Sequence, residues 1–586
     1  MVRIRRLRIE NFRGIKTLDW KIPTNQKLVA LIGPGDGGKS TILDAIHYLI
    51  GDRWNIPFSD TDFFNVNVQR PVIIKALLVD LPSELKKDST FGLWLCGVDQ
   101  DGELLQDPED GSDTALMVQL SVDESLEPKW CVLRSDGSEK YLSSAQRRTF
   151  STFKVDDRTD AQLRWSRNSA LGRLSYADGG ERDALAAASR AAREALLDHE
   201  NSSLTDLTKK IQDRANQVGG GSFSNLRPGL DTSRSSMGAA LALHEDVIPL
   251  TSYGLGSRRL ASLAVQQLAA GSRSVAVVDE LESGLEPHRA VRLLNYLLSD
   301  DGYSQVIVTT HSPVIVEQAQ IENLATVQNQ EGVVTVTSLG GADDLMQRLR
   351  RARPSSLLAR RVVVAEGKTE HGLLLECLDA WDLQRTKDGR STSAGEGVAI
   401  QDGNGGTEVG PRAEALSRLG LNVAAFLDND DESINESIAS AETLGVKVIR
   451  WDQGRNTEGQ ICSGLEANGL TALLKLGVEL RSSEDTVLQD LNAIEPENPV
   501  PSLDVEEWIS LGTELEDARE RIAKAADKRK WFKNVDGGRA LGGWIVRNYT
   551  RQQLSSTVAY LEQIKAFVYP ERPDLSEDNS DEKLDG

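Results

Sequence analysis

The chain has 586 residues, and its 67 lysines and arginines against 89 aspartates and glutamates give a formal charge of −22. Apolar residues make up 39% of the chain, which is the composition of a globular protein and excludes a mainly disordered one. An acidic chain is not expected to coat nucleic acid over its whole surface, but a local basic channel or metal-bridged phosphate binding is compatible with this charge.

The cysteines and the apolar runs indicate the compartment. Cys96, Cys131, Cys377 and Cys462 show no CxxC spacing, which argues against a disulfide framework or a zinc ribbon. The basic N-terminus is not followed by a long apolar core, and no run of about 18 apolar residues occurs. We therefore expect a cytoplasmic protein without a signal peptide and without a membrane partner.

A glycine-rich loop near the N-terminus has the pattern of a phosphate-binding loop. Residues 2–9 and 27–32 are predicted strands, and a helix is predicted from Thr41 to Ile50. The loop between them fits G-x-x-x-x-G-K-[ST], in which backbone N–H groups at a helix N-terminus bind phosphate oxygens. Lys39 would contact the β- and γ-phosphates of a nucleotide and Ser40 would bind Mg²⁺. The predicted nucleotide-binding residues here are Gly33, Gly35, Gly38, Lys39, Ser40 and Thr41.

The segments after this loop show patterns of secondary structure only. Residues 71–135 contain several strand-like apolar runs. Residues 181–216 are rich in alanine and charge, and their leucines and alanines recur at helical spacing, which predicts a helical arm or hairpin. Residues 219–222 read Gly-Gly-Gly-Ser, which is typical of a loop or hinge.

Two further strands are predicted to end in polar side chains. The apolar run 274–278 leads into Asp279 and Glu280, and the run 305–309 is followed closely by His311. An α/β sheet presents metal-binding and water-activating groups at the carboxyl ends of its strands. We therefore expect Asp279 to hold Mg²⁺, Glu280 to activate water, and His311 to reach the γ-phosphate.

A second α/β pattern follows a basic stretch at 348–354, which we interpret as an interdomain connection. Strands are predicted at 361–365, 397–401, 423–427 and 446–451, with helices between them, and this alternation indicates a parallel sheet. Residues 505–565 are predicted to be mostly helical. The acidic tail from Ser576 is predicted to be disordered.

Carboxylates follow the strands of this second pattern. Glu366 and Glu370 come after the first strand and share a helix face, while Asp428 and Asp430 come after the third strand. Glu458 follows the fourth strand. Because such carboxylates would repel one another, a cation is expected among them, and oxygen ligands favour Mg²⁺ or Mn²⁺. Two such ions can clamp the attacking and leaving oxygens of a phosphodiester.

The N-terminal motifs resemble the ABC-type ATPase head of the RecF/SMC-like group. Residues 7–15 are similar to the first strand and turn of that group, 252–259 to its signature motif, and 283–288 to its D-loop. The resemblance implies that Gly256 and Ser257 contact ATP held by another subunit, and therefore that the chain forms a homodimer or a higher assembly. It also suggests Asp62 as the counterpart of the Q-loop residue.

The C-terminal set, E-G-x-x-E followed by D-x-D, resembles the Toprim domain. A Toprim unit behind an ABC head is similar to the overcoming-lysogenization-defect (OLD) family of ATP-dependent nucleases, which includes the nuclease subunit of the Gabija anti-phage system. The resemblance covers roughly residues 1–540. It implies that Glu366, Glu370, Asp428, Asp430 and Glu458 bind metal or act as general acid and base, and that a lysine lies near the scissile phosphate. Lys530 fits that lysine best, with Lys528, Arg529 and Lys533 as competing cations.

The expected fold class is α/β, with an ABC-type head, a helical arm, a Toprim parallel-sheet domain and a helical C-terminal region. The expected function is an ATP-binding, Mg²⁺-dependent DNA endonuclease regulated by ATP, acting in anti-phage defence. Its expected partners are double-stranded DNA, a second copy of the chain in a dimer or tetramer built through heads and arm, and a helicase or another defence subunit. The predicted boundaries are 1–150, 151–235 for the arm, 236–345, 355–475 for Toprim, 476–570 and 571–586.

Two alternatives remain open at this point. One is a RecF/SMC-like DNA-binding ATPase in DNA repair, whose Toprim pocket binds metal without cutting. The other is a topoisomerase or a primase, although no recognisable DNA-gate module with a tyrosine nucleophile is present in the sequence.

Overall fold

The computed structural model describes residues 2–24, 26–156, 159–164, 169–176, 242–245, 248–270, 274–340 and 344–571, with the single positions 187 and 191. The predicted arm at 181–216, the hinge at 219–222 and the acidic tail from Ser576 lie outside these residues, apart from those two positions. By its internal contacts the chain divides into two compact units. The first comprises Met1–Leu31, Gly38–Ile315 and Asn329–Thr335, and the second Ile32–Gly37, Val316–Gln328 and Val336–Gly586.

The strands up to the second unit's own sheet have between two and ten residues. They are β1 (Arg3–Phe12), β2 (Ile15–Lys21), β3 (Leu28–Ile32), β4 (Val72–Val79), β5 (Cys96–Val98), β6 (Leu104–Leu105), β7 (Asp113–Val122), β8 (Pro128–Leu133), β9 (Glu139–Tyr141), β10 (Thr152–Val155), β11 (His244–Glu245), β12 (Ile248–Pro249), β13 (Ser274–Val278), β14 (Tyr303–Thr309), β15 (Leu324–Gln330) and β16 (Val333–Ser338).

The first unit combines a parallel and an antiparallel set of strands. In the parallel set, β13 pairs with β10 on one side and β14 on the other, and β14 pairs with β3. In the antiparallel set, β1 pairs with β2 and β4, and β7 pairs with β4, β5 and β8. Strands buried on both faces read as continuous apolar runs, as in β3 and β13, whose residues are all buried. The carboxyl ends of β13 and β14 therefore lie side by side.

The helices of the first unit are α1 (Lys39–Ile50), α2 (Ser144–Arg148), α3 (Thr159–Gln162), α4 (Ala170–Tyr176), α5 (Leu255–Ala270) and α6 (Pro287–Ser299); α7 (Pro313–Gln318) begins where this unit ends. In α1, Ile42, Leu43, Ile46, Leu49 and Ile50 recur at helical spacing and are buried, so packing of this apolar face stabilises the helix that follows the glycine-rich loop.

The second unit holds a four-stranded parallel sheet in the order β18-β17-β19-β20. The strands are β17 (Arg361–Ala365), β18 (Val398–Asp402), β19 (Asn422–Leu427) and β20 (Lys447–Arg450). Its helices are α8 (Asp344–Ala352), α9 (Lys368–Lys387), α10 (Gly406–Arg418), α11 (Asn435–Thr443), α12 (Thr457–Gly464), α13 (Ala467–Arg481), α14 (Glu484–Asn492), α15 (Val505–Ser510), α16 (Leu515–Lys528), α17 (Val535–Arg547) and α18 (Ser555–Val568).

Short 3₁₀ helices connect these elements. They lie at Asp60–Asp62, Phe64–Val66, Gly92–Trp94, Leu250–Ser252, Ile321–Asn323, Pro354–Leu358, Glu432–Ile434 and Gln552–Leu554. Within the described ranges, no helix is both long and apolar enough to cross a membrane.

One hydrophobic core joins the second sheet to the late helices. It runs from Val363 in β17 through Trp451 to Trp508, Trp531 and Val568. A close approach lies between α9 and α17, where a Cβ on Gly538 would come within 2.3 Å of the Thr369 carbonyl oxygen and one on Gly372 within 2.2 Å of the Val535 oxygen. We call this contact the glycine seam. The boundary expected at residue 475 therefore crosses a shared core.

The segment interpreted as an interdomain connection is largely helical. Most of the stretch 348–354 belongs to α8 and its end, and Arg350 is buried there. Its guanidinium donates to the carbonyl oxygens of Val316 at 3.1 Å and Ala319 at 2.7 Å. The basic sequence alone suggests an exposed linker, because it does not show that Arg350 has buried carbonyl acceptors.

Candidate functional sites

The glycine-rich loop leads into α1 as expected. Gly38 at the N-cap has φ 90°, in the left-handed region, and the buried Lys39 opens the helix. Gly33 has φ 130°, and a Cβ there would lie 2.5 Å from the carbonyl oxygen of Val327. Gly35 is sterically unconstrained, since a Cβ would meet nothing within 4 Å. Thr41 is half-buried in the first turn of α1.

Ser40 and Asp279 come together in the first unit. The Ser40 hydroxyl donates to Asp279 Oδ1 at 2.9 Å, and the Thr309 hydroxyl donates to the same oxygen at 2.7 Å. Thr309 Oγ1 also accepts the Glu280 N–H at 2.7 Å. The end of β14 thus fixes the end of β13. A hydroxyl and a carboxylate oxygen are suitable ligands for the Mg²⁺ that accompanies a nucleotide.

Glu280 and His311 flank this pair. Glu280 is exposed and has φ 45°, a left-handed backbone that a glutamate rarely adopts. The His311 N–H donates to Glu282 Oε1 at 2.6 Å, and the Thr310 hydroxyl donates to Glu282 Oε2 at 2.7 Å. Burial, followed by the nearby Lys39 ammonium, lowers the pKa of His311, so the imidazole is neutral at physiological pH.

The predicted signature residues lie at the start of α5. Gly256 is packed so tightly against the D-loop that an added Cβ would lie 2.2 Å from the Gly284 carbonyl oxygen. Ser257 is exposed. The guanidinium of Arg259 donates to the carbonyl oxygens of Asp279 and Glu280, the latter at 3.0 Å. These hydrogen bonds hold the start of α5 against the end of β13.

Asp62 has structural partners. Its Oδ1 accepts Arg13 Nε at 2.8 Å, and its Oδ2 accepts the Ser59 N–H at 3.0 Å. Both carboxylate oxygens are thus engaged, and the Q-loop assignment stays a prediction.

In the second unit, the structure brings together four of the five predicted metal-binding carboxylates. Glu366 follows β17 and accepts the Asp428 N–H on Oε2 at 2.7 Å. This contact joins the ends of β17 and β19, which are paired in parallel. Gly406 leaves room beside Glu366, since a Cβ there would lie 3.1 Å from Oε1.

A buried threonine connects the carboxylates. The Thr457 hydroxyl lies 2.8 Å from Glu370 Oε1 and 3.0 Å from Asp428 Oδ1, and it accepts the indole N–H of Trp451 at 2.8 Å. Glu370 Oε2 accepts the Gly367 N–H at 2.9 Å at the start of α9. Thr457, Glu370 and Asp428 are 0%, 3% and 7% exposed.

Glu458 is the least exposed carboxylate of this group. It is 2% exposed, and neither carboxylate oxygen has a hydrogen-bond partner. Lys533 Nζ lies 3.7 Å from Glu458 Oε1 and 2.9 Å from Asp527 Oδ1. The lysine is positioned by the buried Phe532, whose carbonyl oxygen accepts the Thr369 hydroxyl at 3.1 Å.

Burial and mutual repulsion oppose the charged forms of these acids. Burial raises the pKa of Glu366 to about 7, and Glu370 and Asp430 add to this against the lowering effect of the Asp428 N–H. Burial also raises the pKa of Glu458 to about 7, although Lys533 opposes it. The pKa of Asp428 is raised by burial and then by Glu370 and Glu366.

The chemistry of these side chains suits a hard divalent cation, but their arrangement does not form a ready metal site. The donor set is all oxygen, and two buried carboxylate oxygens have no hydrogen-bond partner. Within the described ranges, however, no three His, Cys, Asp or Glu side chains form a ready ligand set. Glu366 and Glu370 each accept a backbone N–H on one carboxylate oxygen.

Asp430 and Lys530 stand apart from the buried group. Both side chains are exposed, whereas Lys533 is partly buried beside Glu458. For the lysine near the carboxylates, the structure thus favours Lys533 over Lys530, because the turn between them directs only Lys533 inward. Lys528 is exposed as well.

Several contributing residues were not identified from sequence. Thr457 and Glu282 have no signal of their own, because single threonines and glutamates are common at helix starts and in loops. Thr309 had a usable signal, since it follows an apolar run directly before the Thr-His pair.

Two sequence models of protein families match the N-terminal part of the chain. One, described as “AAA domain, putative AbiEii toxin, Type IV TA system”, matches residues 98–317. Another, described as “AAA domain”, matches residues 6–78. Residues 6–78 and 98–317 are therefore similar in sequence to AAA domains, which supports the prediction of an ATP-binding ATPase. A search of curated proteins gives no match.

A search of solved structures lists SMC head domains and a recombination mediator protein. The SMC head domain from Thermotoga maritima has 15% identity and a TM-score of 0.27, over 57% of this chain and 98% of that one. The Smc head domain from Pyrococcus furiosus has 14% identity and a TM-score of 0.34, over 60% and 100%. The recombination mediator protein RecF-ATP has 11% identity and a TM-score of 0.30, over 57% and 99%. Likeness at this level carries no inference about function.

Proposed function

We propose that the chain is an ATP-binding, Mg²⁺-dependent DNA endonuclease of the OLD type, acting in anti-phage defence. The observation that carries the proposal is the group of buried carboxylates, Glu366, Glu370, Asp428 and Glu458, with Lys533 beside them. They lie at the carboxyl edge of a parallel sheet, where α/β folds place their sites. The OLD and Toprim assignments rest on the sequence resemblance together with this arrangement.

Each residue of this group has a proposed task in phosphodiester cleavage. Bound divalent ions would supply charge stabilisation for the phosphate and activate the attacking water. Glu366, Glu370, Asp428 and Glu458 would hold those ions. Lys533 would orient the scissile phosphate and neutralise part of its charge. Asp430, at the exposed rim of the group, would contribute once DNA covers it.

The ATPase residues have separate tasks in the first unit. Ser40 and Asp279, joined by their hydrogen bond, would hold the Mg²⁺ of the nucleotide, and Lys39 would bind its phosphates. Glu280 would accept a proton from the attacking water, and the neutral His311 would contact the γ-phosphate. Because Ser257 is exposed, it can contact ATP in a second copy of the chain, which supports a homodimer.

The decisive experiment incubates purified protein with supercoiled plasmid and Mg²⁺. Asp428→Ala should abolish cleavage and leave ATP hydrolysis near the parent rate, because this carboxylate serves only the second site. Glu432→Ala is the matched control, since it removes an exposed carboxylate four residues away. Equal cleavage by Asp428→Ala and the parent would exclude the proposed site.

ATP regulation is tested in the same assay. A non-hydrolysable ATP analogue should change plasmid cleavage at fixed free Mg²⁺, and restraint of cutting is the expected direction for a defence nuclease. Regulation requires that ATP bind one conformation more tightly than another. Lys39→Ala should remove both nucleotide binding and the effect on cleavage. If Lys39→Ala responds to the analogue as the parent does, the effect is chelation of Mg²⁺.

A second candidate function is a RecF/SMC-like ATPase without nuclease activity. It is favoured by the protein donors that already satisfy Glu366 and Glu370, namely the N–H groups of Asp428 and Gly367. The plasmid assay separates the candidates. Linear products indicate a nuclease, relaxed topoisomers indicate a topoisomerase, and intact DNA with ATP hydrolysis indicates the second candidate.

A further inference from the structure

A run of cations lies just before the lysine that faces the carboxylates. Lys528, Arg529 and Lys530, which we call the basic tract, are consecutive and all exposed. Arg529 Nε lies 3.8 Å from Asp490 Oδ1. Among the described residues, neither Lys528 nor Lys530 forms an ion pair with an acid. These three consecutive cations stand in a chain whose formal charge is −22.

The backbone of the tract forms a helix-terminating turn. The Trp531 N–H donates to the Ala526 carbonyl at 2.9 Å, and the Lys530 N–H donates to the Asp527 carbonyl at 3.1 Å. This pair of hydrogen bonds defines a Schellman motif at the end of α16, with Lys530 in the left-handed position. Lys530 has φ 57° there, a conformation that glycine adopts with less strain.

Stabilisation of the helix end explains the position of Lys528 but not that of Lys530. Lys528 lies in the last turn of α16, where a positive charge interacts favourably with the helix dipole. Lys530 follows the helix in a strained conformation, and its side chain makes no ion pair with any described acid. The end of the helix uses the backbone of Lys530 but not its charge, so the exposed ammonium group is available to a ligand.

The number of residues between Lys530 and Lys533 limits the distance from the tract to the proposed cleavage site. Lys530 precedes Lys533 by three residues, so their Cα atoms are at most about 11 Å apart. Along the axis of a DNA duplex this corresponds to about three base pairs, at ~3.4 Å per step. The buried Trp531 and Phe532 anchor the segment between them. A backbone phosphate close to the scissile one is therefore within reach of the tract.

We propose that Lys528 and Lys530 bind the sugar–phosphate backbone of duplex DNA within about three nucleotides of the cleaved phosphate. The inference rests on the proposed nuclease function for its location, but it is tested by binding alone. Contacts of this kind position the substrate and carry no sequence information. They give the acidic chain a local attraction for DNA that its net charge does not provide.

The test measures the affinity of the full chain for a labelled DNA duplex across a range of salt concentrations, at fixed free Mg²⁺. All variants carry Asp428→Ala so that the DNA stays intact. Each phosphate contact contributes about −0.9 to the slope of log K against log salt. The double variant Lys528→Ala/Lys530→Gly should therefore reduce the slope by about 1.8. Lys524→Ala is the matched control, because Lys524 lies one turn earlier in α16 and pairs with Glu520 at 2.7 Å.

The outcomes separate this inference from the nuclease proposal. An equal slope for the double variant and the Lys524→Ala control overturns the inference, as does a parent chain that does not bind duplex DNA. If the chain without Asp428→Ala binds duplex but does not cut it, the nuclease proposal fails and the slopes still decide the role of the tract.

A stability measurement excludes misfolding as the cause of lost binding. Lys530→Gly relieves the left-handed strain, so the Tm of the second unit should stay unchanged or rise by up to about 3 °C. Lys530→Arg should keep the salt slope of the parent, because it preserves the charge. A lower Tm for Lys530→Gly together with weaker binding would contradict the inference.

Discussion

The hydroxyl of Thr457 is the most informative single group in the second unit. Thr457→Val keeps the shape of the side chain and removes only the hydroxyl. The indole N–H of Trp451 then loses its acceptor in a fully buried position, which costs about 1–3 kcal/mol. Glu370 and Asp428 also lose a donor that lies 2.8 and 3.0 Å from their oxygens. Since one hydroxyl proton cannot serve both, we expect a total loss of about 2–4 kcal/mol.

Hydrogen exchange measures this loss locally. A chain of two compact units is not expected to unfold in one step, so global denaturation would mix their stabilities. The amides of α12 and β20 report the opening of the site itself, and their exchange should be about 30- to 800-fold faster in Thr457→Val. Thr457→Ser is the control, because it keeps the hydroxyl and loses only a methyl group.

The reasoning fails if the Val and Ser variants differ by less than about 0.5 kcal/mol in local opening free energy. In that case the Thr457 hydroxyl does not link Trp451 to the carboxylates through its hydrogen bonds. Added Mg²⁺ provides a second check, since cations relieve carboxylate repulsion and should reduce the difference between Thr457→Val and the parent.

Three further predictions concern the first unit and the glycine-rich loop. Glu280→Gln should slow ATP hydrolysis by about 10²-fold or more while ATP binding persists, and an unchanged rate would assign the base elsewhere. Gly256→Ala should destabilise the first unit by about 1–3 kcal/mol, because its Cβ would lie 2.2 Å from the Gly284 oxygen; Gly35→Ala, with nothing within 4 Å, should be tolerated. Burial lowers the pKa of His47 from 6.5 to about 4, so the folded state resists protonation. The stability of the first unit should therefore be complete above pH 6.5 and fall by up to about 1.4 kcal/mol per pH unit towards pH 4, and His47→Gln should flatten this dependence in unfolding measurements.

The strands were the most predictable part of the fold. Strands buried on both faces must be apolar throughout, so β13 and β17 lie at the residues predicted from sequence. The helix α8 was not predictable, because the acceptors of the buried Arg350 are carbonyls more than thirty positions earlier in the chain. The same holds for the shared core across residue 475, since contacts between distant segments leave no local pattern.

The candidate site was predictable where strand topology determines it. Glu366 and Asp428 follow adjacent parallel strands, whose carboxyl ends must meet at one edge. The position of the lysine depends instead on a single turn. The left-handed Lys530 reverses the chain direction and brings Lys533 to Glu458, which spacing alone does not reveal. The role of Thr457 was not predictable, because it depends on side chains from three different parts of the fold.

The glycine seam between α9 and α17 has a practical consequence for the choice of protein fragments to express. Gly372 and Gly538 approach so closely that any side chain at either position would collide with backbone atoms. A fragment that ends at residue 475 would lose α17 and expose the seam and half of the core to water. It should aggregate when expressed alone, whereas a fragment that begins near Pro354, after the helix whose buried Arg350 needs the carbonyls of Val316 and Ala319, and continues through Val568 should be recoverable as a folded protein.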